Sequence, residues 1–170
     1  MGKLRDPVYN VPMNIFLYGE GGLGKTKTLK KLYYLLSKEQ MPASTRECII
    51  YNYMGRDVKI VICTAGDNRE EIEKNLSFLR GLLEQEVKVD IFISAVRQSM
   101  DAYNAMQNYE AVIMERYVKS SFTMWVEKLN PKVLESNYKD EKDPASQKTS
   151  IADADRLKKI IDFYIDNKLI

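Results

Sequence analysis

A three-layer αβα domain, with a mostly parallel central sheet of about five strands and one antiparallel edge strand, is the fold class that the sequence predicts. Three observations carry it. Short apolar runs rich in strand formers alternate along the chain with stretches whose apolar residues recur every three or four positions. Val89–Val96 reads as a continuous apolar strand, the kind found in the middle of a sheet covered on both faces. Two other runs, Cys48–Tyr53 and Val58–Thr64, are separated only by Met54-Gly55-Arg56-Asp57. A parallel crossover needs about a dozen residues, so these two strands form an antiparallel hairpin.

The elements follow in order. Met13–Tyr18 is the first strand and ends abruptly in glycine. Leu29, Leu32, Tyr33 and Leu36 then keep helical spacing, and Pro42 lies beyond the helix end. After the hairpin, Ile72, Leu76, Leu79 and Leu83 mark one face of a second helix. Ala102, Met106, Tyr109, Ile113 and Tyr117 mark a third helix beyond the central strand, and Phe122–Val126 is a further strand. Residues 130–149 are polar, contain Pro131 and Pro144, and read as a long surface connection. Ser150 then caps a last helix, with Asp153 as its capping-box partner. Its apolar face runs Ile151, Ala154, Leu157, Ile161, Tyr164 and Ile165. Docking against the domain is the expected use of that face, and a partner-binding helix is the alternative. The chain thus reads as a single domain over 1–170, with a core over about 13–130, a polar connection over 131–149 and a docking helix over 150–168.

Composition narrows the function. Of 170 residues, 26 are Lys or Arg and 24 are Asp or Glu, a formal net charge of +2 that predicts neither nucleic-acid nor membrane binding. No apolar run approaches the ~18 residues that span a bilayer. The opening MGKLRDPVYNVP lacks the apolar centre of a signal peptide, and Asp6 stands where myristoylation wants Ser or Thr. A cytoplasmic setting is expected, with Cys48 and Cys63 buried, reduced and inert. There is no histidine, which excludes Ser-His-Asp and Cys-His catalysis and argues against zinc.

The chemistry is concentrated in Gly19-Glu20-Gly21-Gly22-Leu23-Gly24-Lys25-Thr26, which matches GxxxxGK[ST], the Walker A pattern, between a predicted strand and a predicted helix. Glycines so crowded leave no Cβ in the way and permit positive φ, so backbone N–H groups can converge on a phosphate. The helix that follows aims its unpaired N–H groups at the same anion. Lys25 supplies a point charge to the β- and γ-phosphates, Thr26 offers its hydroxyl to Mg²⁺, and Lys27 lies beside them. ATP or GTP with Mg²⁺ is the expected ligand.

On these residues the chain resembles the P-loop NTPase superfamily, specifically over 13–36 and more loosely up to about Asn130. Val58–Asp67, "VKIVICTAGD", is similar to the second strand and DTAGQ-type loop of Ras-like GTPases. That resemblance implies a γ-phosphate contact for the Gly66 N–H and a water-orienting position for Asp67, with Thr45 as the threonine closing over Mg²⁺. Cys63 stands in place of the magnesium-linked aspartate, and the guanine-reading NKxD is represented by Glu127-Lys128-Leu129-Asn130. The glycine loop is also similar to the KGGxGKT loop of ParA/MinD-type ATPases, with Glu20 where their leading lysine stands. A small-molecule or nucleotide kinase is a third reading. The connection Gln40–Glu47 is short for an acceptor-binding insert, and the Arg97–Tyr103 loop and the long Asn130–Thr149 segment are the places left for acceptor binding.

Phosphoryl transfer needs a metal carboxylate and a group that positions the nucleophile. Asp67, just past a strand's carboxyl end, is the first candidate for water positioning or for Mg²⁺ through water, and the simpler reading is that Asp67-Asn68 caps the helix beginning at Arg69. Arg97 follows the central strand and can clamp a phosphate; Asp101 shares its loop, while Asp90 precedes the strand and lies at the opposite edge. Lys27, Lys30 and Lys31 line the solvent side of the first helix. The expected function is therefore slow Mg-NTP hydrolysis. The alternative from another class is a nucleotide-responsive module, whose Thr64–Arg69 loop changes shape with the γ-phosphate and whose partner is a protein.

Overall fold

The computed structural model describes residues 11–117, 121–139 and 142–167. Five strands form one sheet: β1 (Met13–Gly19), β2 (Arg46–Tyr53), β3 (Arg56–Cys63), β4 (Ile91–Arg97) and β5 (Phe122–Glu127). The helices are α1 (Lys25–Ser37), α2 (Arg69–Glu84), α3 (Met100–Tyr117) and α4 (Pro144–Asp166). In the sheet the order is β2-β3-β4-β1-β5, with every neighbouring pair parallel except β2 and β3. The α/β class, the mostly parallel sheet and the antiparallel edge strand agree with the sequence. The placement of β4 between β3 and the glycine-loop strand β1 comes from the structure alone.

The hairpin is tighter than the sequence suggests. Tyr53 pairs with Arg56, leaving Met54 (φ 50) and Gly55 (φ 84) as a two-residue turn. Two consecutive positive φ values match the right-handed twist of the strands, and that geometry favours antiparallel return.

Each face of the sheet carries a pair of helices. On one face α1 and α4 bury Leu29, Leu32, Leu36, Leu157 and Ile161 against Ile15, Leu17, Ile60 and Ile93. On the other, Ile72, Leu79, Ala102 and Met106 of α2 and α3 cover Phe16, Val61 and Phe92. Alternate residues of β1 therefore enter opposite cores, as the period of a strand requires. Buried Asn14 is satisfied by the Tyr109 hydroxyl, which donates to Asn14 Oδ1 at 2.9 Å. Ile113 and Tyr117, two side chains of the predicted α3 face, lie outside the described residues, as do residues 1–10 and position 168.

Two sequence expectations are corrected here. The last helix begins at Pro144, capped by Asp143, whose side chain accepts from the Ala145 N–H at 2.9 Å. Ser150 and Asp153 are thus buried inside α4 rather than at its start. Asp143-Pro144 is the stronger start signal, because proline at the first helical position lacks the N–H that a helix start leaves unpaired. Cys48 is only half-buried, because β2 is an edge strand, whereas Cys63 is fully buried.

The far end of α4 is pinned to β2 by tyrosines. Tyr51 donates to Asp162 Oδ1 at 2.6 Å, and Tyr53 to Asp166 Oδ2 at 2.9 Å. Burial, and then the bond to Asp162, push the Tyr51 hydroxyl up to about 12. The native state then holds this proton more tightly than the unfolded chain does. The resulting stability is complete below about pH 10 and disappears as the pH rises from there through about 12. Urea melts between about pH 9 and 11 should therefore show the wild type losing more stability than Tyr51→Phe. Parallel curves would mean that folding does not raise the Tyr51 hydroxyl.

Candidate nucleotide site

The site gathers at the carboxyl ends of the parallel strands, where the register brings its parts together. Gly19 of β1 lies beside Arg97 of β4, and Tyr18 beside Glu127 of β5. The glycine loop leaves β1 at this edge and runs straight into α1. Gly22 (φ 78) and Gly24 (φ 94) occupy left-handed conformations that glycine adopts without strain, and Gly24 is the N-cap of α1.

Lys25 is buried, and its ammonium turns back into the loop. Its Nζ donates to Gly19 O at 2.9 Å and to Glu20 O at 2.6 Å. A buried ammonium at the start of a helix, beside unpaired N–H groups, concentrates positive potential at one point. Thr26, in the same turn, is exposed and donates to Thr64 O at 3.1 Å. That bond ties the glycine loop to the segment leaving β3.

The β3 exit is itself built from polar contacts. Fully buried Asn75 of α2 donates to Ala65 O at 2.6 Å and to Ser94 Oγ at 3.1 Å, while Arg46 Nε donates to Asn75 Oδ1 at 2.7 Å. The Thr64 N–H donates to Thr45 O at 2.9 Å. Gly66 is packed onto β4, its carbonyl accepting from the Arg97 N–H at 2.8 Å. Asp67 is exposed, and the helix cap beside it is Asn68, whose side chain accepts from the Glu71 N–H at 2.9 Å. Asp101 joins the β3 and β4 loops by accepting from the Arg69 N–H at 3.1 Å and the Ser99 hydroxyl at 2.9 Å, contacts that hold its carboxyl below the usual range.

Arg97 is brought to the loop. Its guanidinium lies so close that a Cβ on Gly21 would sit 2.6 Å from one of its nitrogens. Asp90 accepts from the Lys59 N–H at 2.9 Å at the opposite edge of the sheet, away from the glycine loop. Cys63 is a neutral thiol, pushed up to about 12 by burial with Arg46 opposing, and it faces the core. Among the described residues there is no group of three or more Cys, Asp or Glu side chains able to hold a metal ion. Lys27, Lys30 and Lys31 line a groove of about 390 Å³ between α1 and α4, together with Tyr34, Gln147 and Ile151.

The contacts missed by sequence reasoning come from the C-terminal third. Fully buried Lys128 and Asp153 pair at 2.9 Å, and Asp153 also accepts from the Leu129 N–H at 2.9 Å and from Arg156 at 2.7 Å. Burial pulls the Lys128 ammonium below the ordinary lysine range, with Asp153 opposing. A Cβ on Gly19 would lie 3.1 Å from Lys128 Cβ, and one on Gly24 would lie 2.9 Å from both Ser146 Oγ and Ser150 Oγ. Ser150 donates to Gly24 O at 3.3 Å, and the Tyr138 hydroxyl donates to Gly22 O. Their signals were faint: a lone aromatic residue in a polar stretch, and two serines one helical turn apart.

The comparisons with known proteins agree with this geometry at a coarse level. No family model matches the chain, and no solved structure matches it significantly. Over 101 residues, 59% of the chain, it is 32% identical to the ATP-dependent protease ATPase subunit HslU of Bartonella henselae. It spans 21% of that relative's length. Similarity to an ATPase subunit joins a glycine loop placed between β1 and α1 of a mostly parallel sheet. The chain fits the P-loop NTPase superfamily. Among the described residues no helix is long and apolar enough to cross a membrane.

Proposed function

We propose that this chain binds ATP with Mg²⁺ on residues 19–26 and hydrolyses it slowly. The observation that carries the reading is Lys25, a buried ammonium held by the carbonyls of Gly19 and Glu20 at the N-terminus of α1. An ammonium so placed offers its positive charge, and the helix its unpaired N–H groups, to a polyphosphate. The residues also suit a metal. Mg²⁺ takes hard oxygen ligands and usually relies on few protein groups besides the phosphates, and the Thr26 hydroxyl is an exposed oxygen on the first turn of α1. Bound there, it would neutralise charge on the β- and γ-phosphate oxygens.

The other roles follow by position. Glu20, Gly21, Gly22 and Leu23 supply the loop backbone, and Lys27 adds charge at its edge. Arg97, lying against Gly21, meets the phosphate charge, and exposed Asp67 positions water or holds the metal through water. Gly66 acts sterically, seating the Asp67 segment on β4. ATP is preferred to GTP on two grounds. The relative is ATP-dependent by name, and the positions matching a guanine reader are already engaged. Lys128 is paired with Asp153, and the Asn130 side chain accepts from the Lys132 N–H at 3.0 Å.

A second reading rests on the Thr26–Thr64 bond. A metal taking the Thr26 hydroxyl competes with Thr64 O, so ligand occupancy is felt in the Thr64–Arg69 loop. Such coupling suits a nucleotide-dependent switch acting on a protein partner.

Calorimetric titration with Mg-ATP tests the central claim. Lys25→Ala is expected to weaken binding by about 10- to 100-fold, the worth of charged hydrogen bonds to phosphate. Unchanged affinity in that variant would remove residues 19–26 as the site. Phosphate release no faster than in Lys25→Ala would leave binding intact and remove hydrolysis.

A further inference from the structure

The glycine loop is held by its carbonyl oxygens, and three of its holders come from far away in sequence. Gly19 O accepts from the Gln98 N–H at 2.8 Å and from Lys25; Glu20 O accepts from Lys25. Gly24 O accepts from the Thr28 N–H and hydroxyl, both at 2.9 Å, and from Ser150. Gly22 O is bonded by the hydroxyl of Tyr138, 116 residues away.

Gly22 needs such a holder. It sits at φ 78, and a Cβ built on it would meet nothing within 4 Å, so sterics do not fix this part of the loop. Rotation of a peptide plane beside a glycine costs little. None of the described peptide bonds is cis, and in a trans peptide the C=O and the following N–H point in opposite directions. Fixing Gly22 O toward Tyr138 therefore turns the Leu23 N–H away from Tyr138, toward the side of the loop opposite the C-terminal segment.

Resting on the nucleotide-binding reading above, we infer that Tyr138 is a positioning residue for the phosphate cradle: it locks the Gly22–Leu23 peptide with the Leu23 N–H presented to phosphate. Tyr138 is itself fixed. It is only 7% exposed, and its N–H donates to Glu135 O at 3.1 Å. The segment after β5 is also anchored to α4, because the Leu129 N–H donates to Asp153. Thus the stretch beyond β5, although outside the glycine motif, completes it.

The test uses Tyr138→Phe, which keeps the buried ring and removes only the hydroxyl, with Mg²⁺-ATP and inorganic tripolyphosphate as ligands. Both affinities are expected to fall by the same factor, about three- to tenfold for one hydrogen bond, with the urea midpoint of the ligand-free protein little changed. Tyr51→Phe, which loosens α4 at its far end, should leave both affinities at wild-type values. Wild-type tripolyphosphate affinity in Tyr138→Phe would overturn the inference. So would an equal loss in Tyr51→Phe, since Tyr138 would then act only through the docking of α4. In either case Lys25→Ala still reports on the parent reading: its binding is weakened about 10- to 100-fold if residues 19–26 are the site, and unchanged if they are not.

Discussion

Gly66→Ala is expected to destabilise the protein by about 3 kcal/mol or more, lowering the melting temperature by roughly 6–12 °C. A Cβ at this position would lie 1.8 Å from the carbonyl oxygen of Ala95 and 2.5 Å from its carbon. Both belong to the backbone of β4, a central strand held by β3 on one side and β1 on the other, so neither can yield. Relief must come from lifting the Thr64–Asp67 segment, which breaks the Arg97 N–H bond to Gly66 O. Arg97 then loses its place against Gly21, and Mg-ATP affinity is expected to fall with the stability. Thermal melts and titrations of the same sample check both effects. A melting temperature within about 2 °C of wild type, less than a 1 kcal/mol change gives in a chain this size, would mean that Gly66 does not touch β4.

Asp153→Ala carries the other large expected effect. It strands the Lys128 ammonium, whose side chain is fully buried, and leaves the Leu129 N–H and one Arg156 contact without their acceptor. Removing one member of a buried pair typically costs about 3–5 kcal/mol, because the remaining charge keeps its desolvation penalty. Asp153→Asn should cost less, since an amide oxygen still accepts from Leu129. The double variant Lys128→Met with Asp153→Leu should recover part of the loss by removing both charges together. Urea unfolding of the wild type, Lys128→Met, Asp153→Leu and the double variant measures the cycle. Additive single and double effects would show that Lys128 and Asp153 do not interact.

Much of the fold was legible because its signals are local. The period of apolar residues depends on neighbours three or four apart in a helix and two apart in a strand, and the hairpin followed from chain length alone. The glycine motif was legible for the same reason: positive φ at Gly22 and Gly24, the N-terminus of α1 and the return of Lys25 to Gly19 all lie within a few residues. The last helix was misplaced by six residues, because Ser150 offered a plausible cap and the proline at Pro144 was read as a loop residue.

By itself, then, the sequence determined an α/β chain with a glycine cradle between a strand and a helix. Only the tertiary structure decided that β4 separates β1 from β3, that Gly66 is clamped on Ala95, and that α4 closes on the back of the cradle. The bonds from Tyr138 to Gly22 and from Ser150 to Gly24 span 116 and 126 residues. No local period or propensity encodes such pairs. Ser150 reaches Gly24 because the apolar stripe of α4 is buried beside α1 on one face of the sheet, which carries the N-terminal turns of α4 up to the glycines.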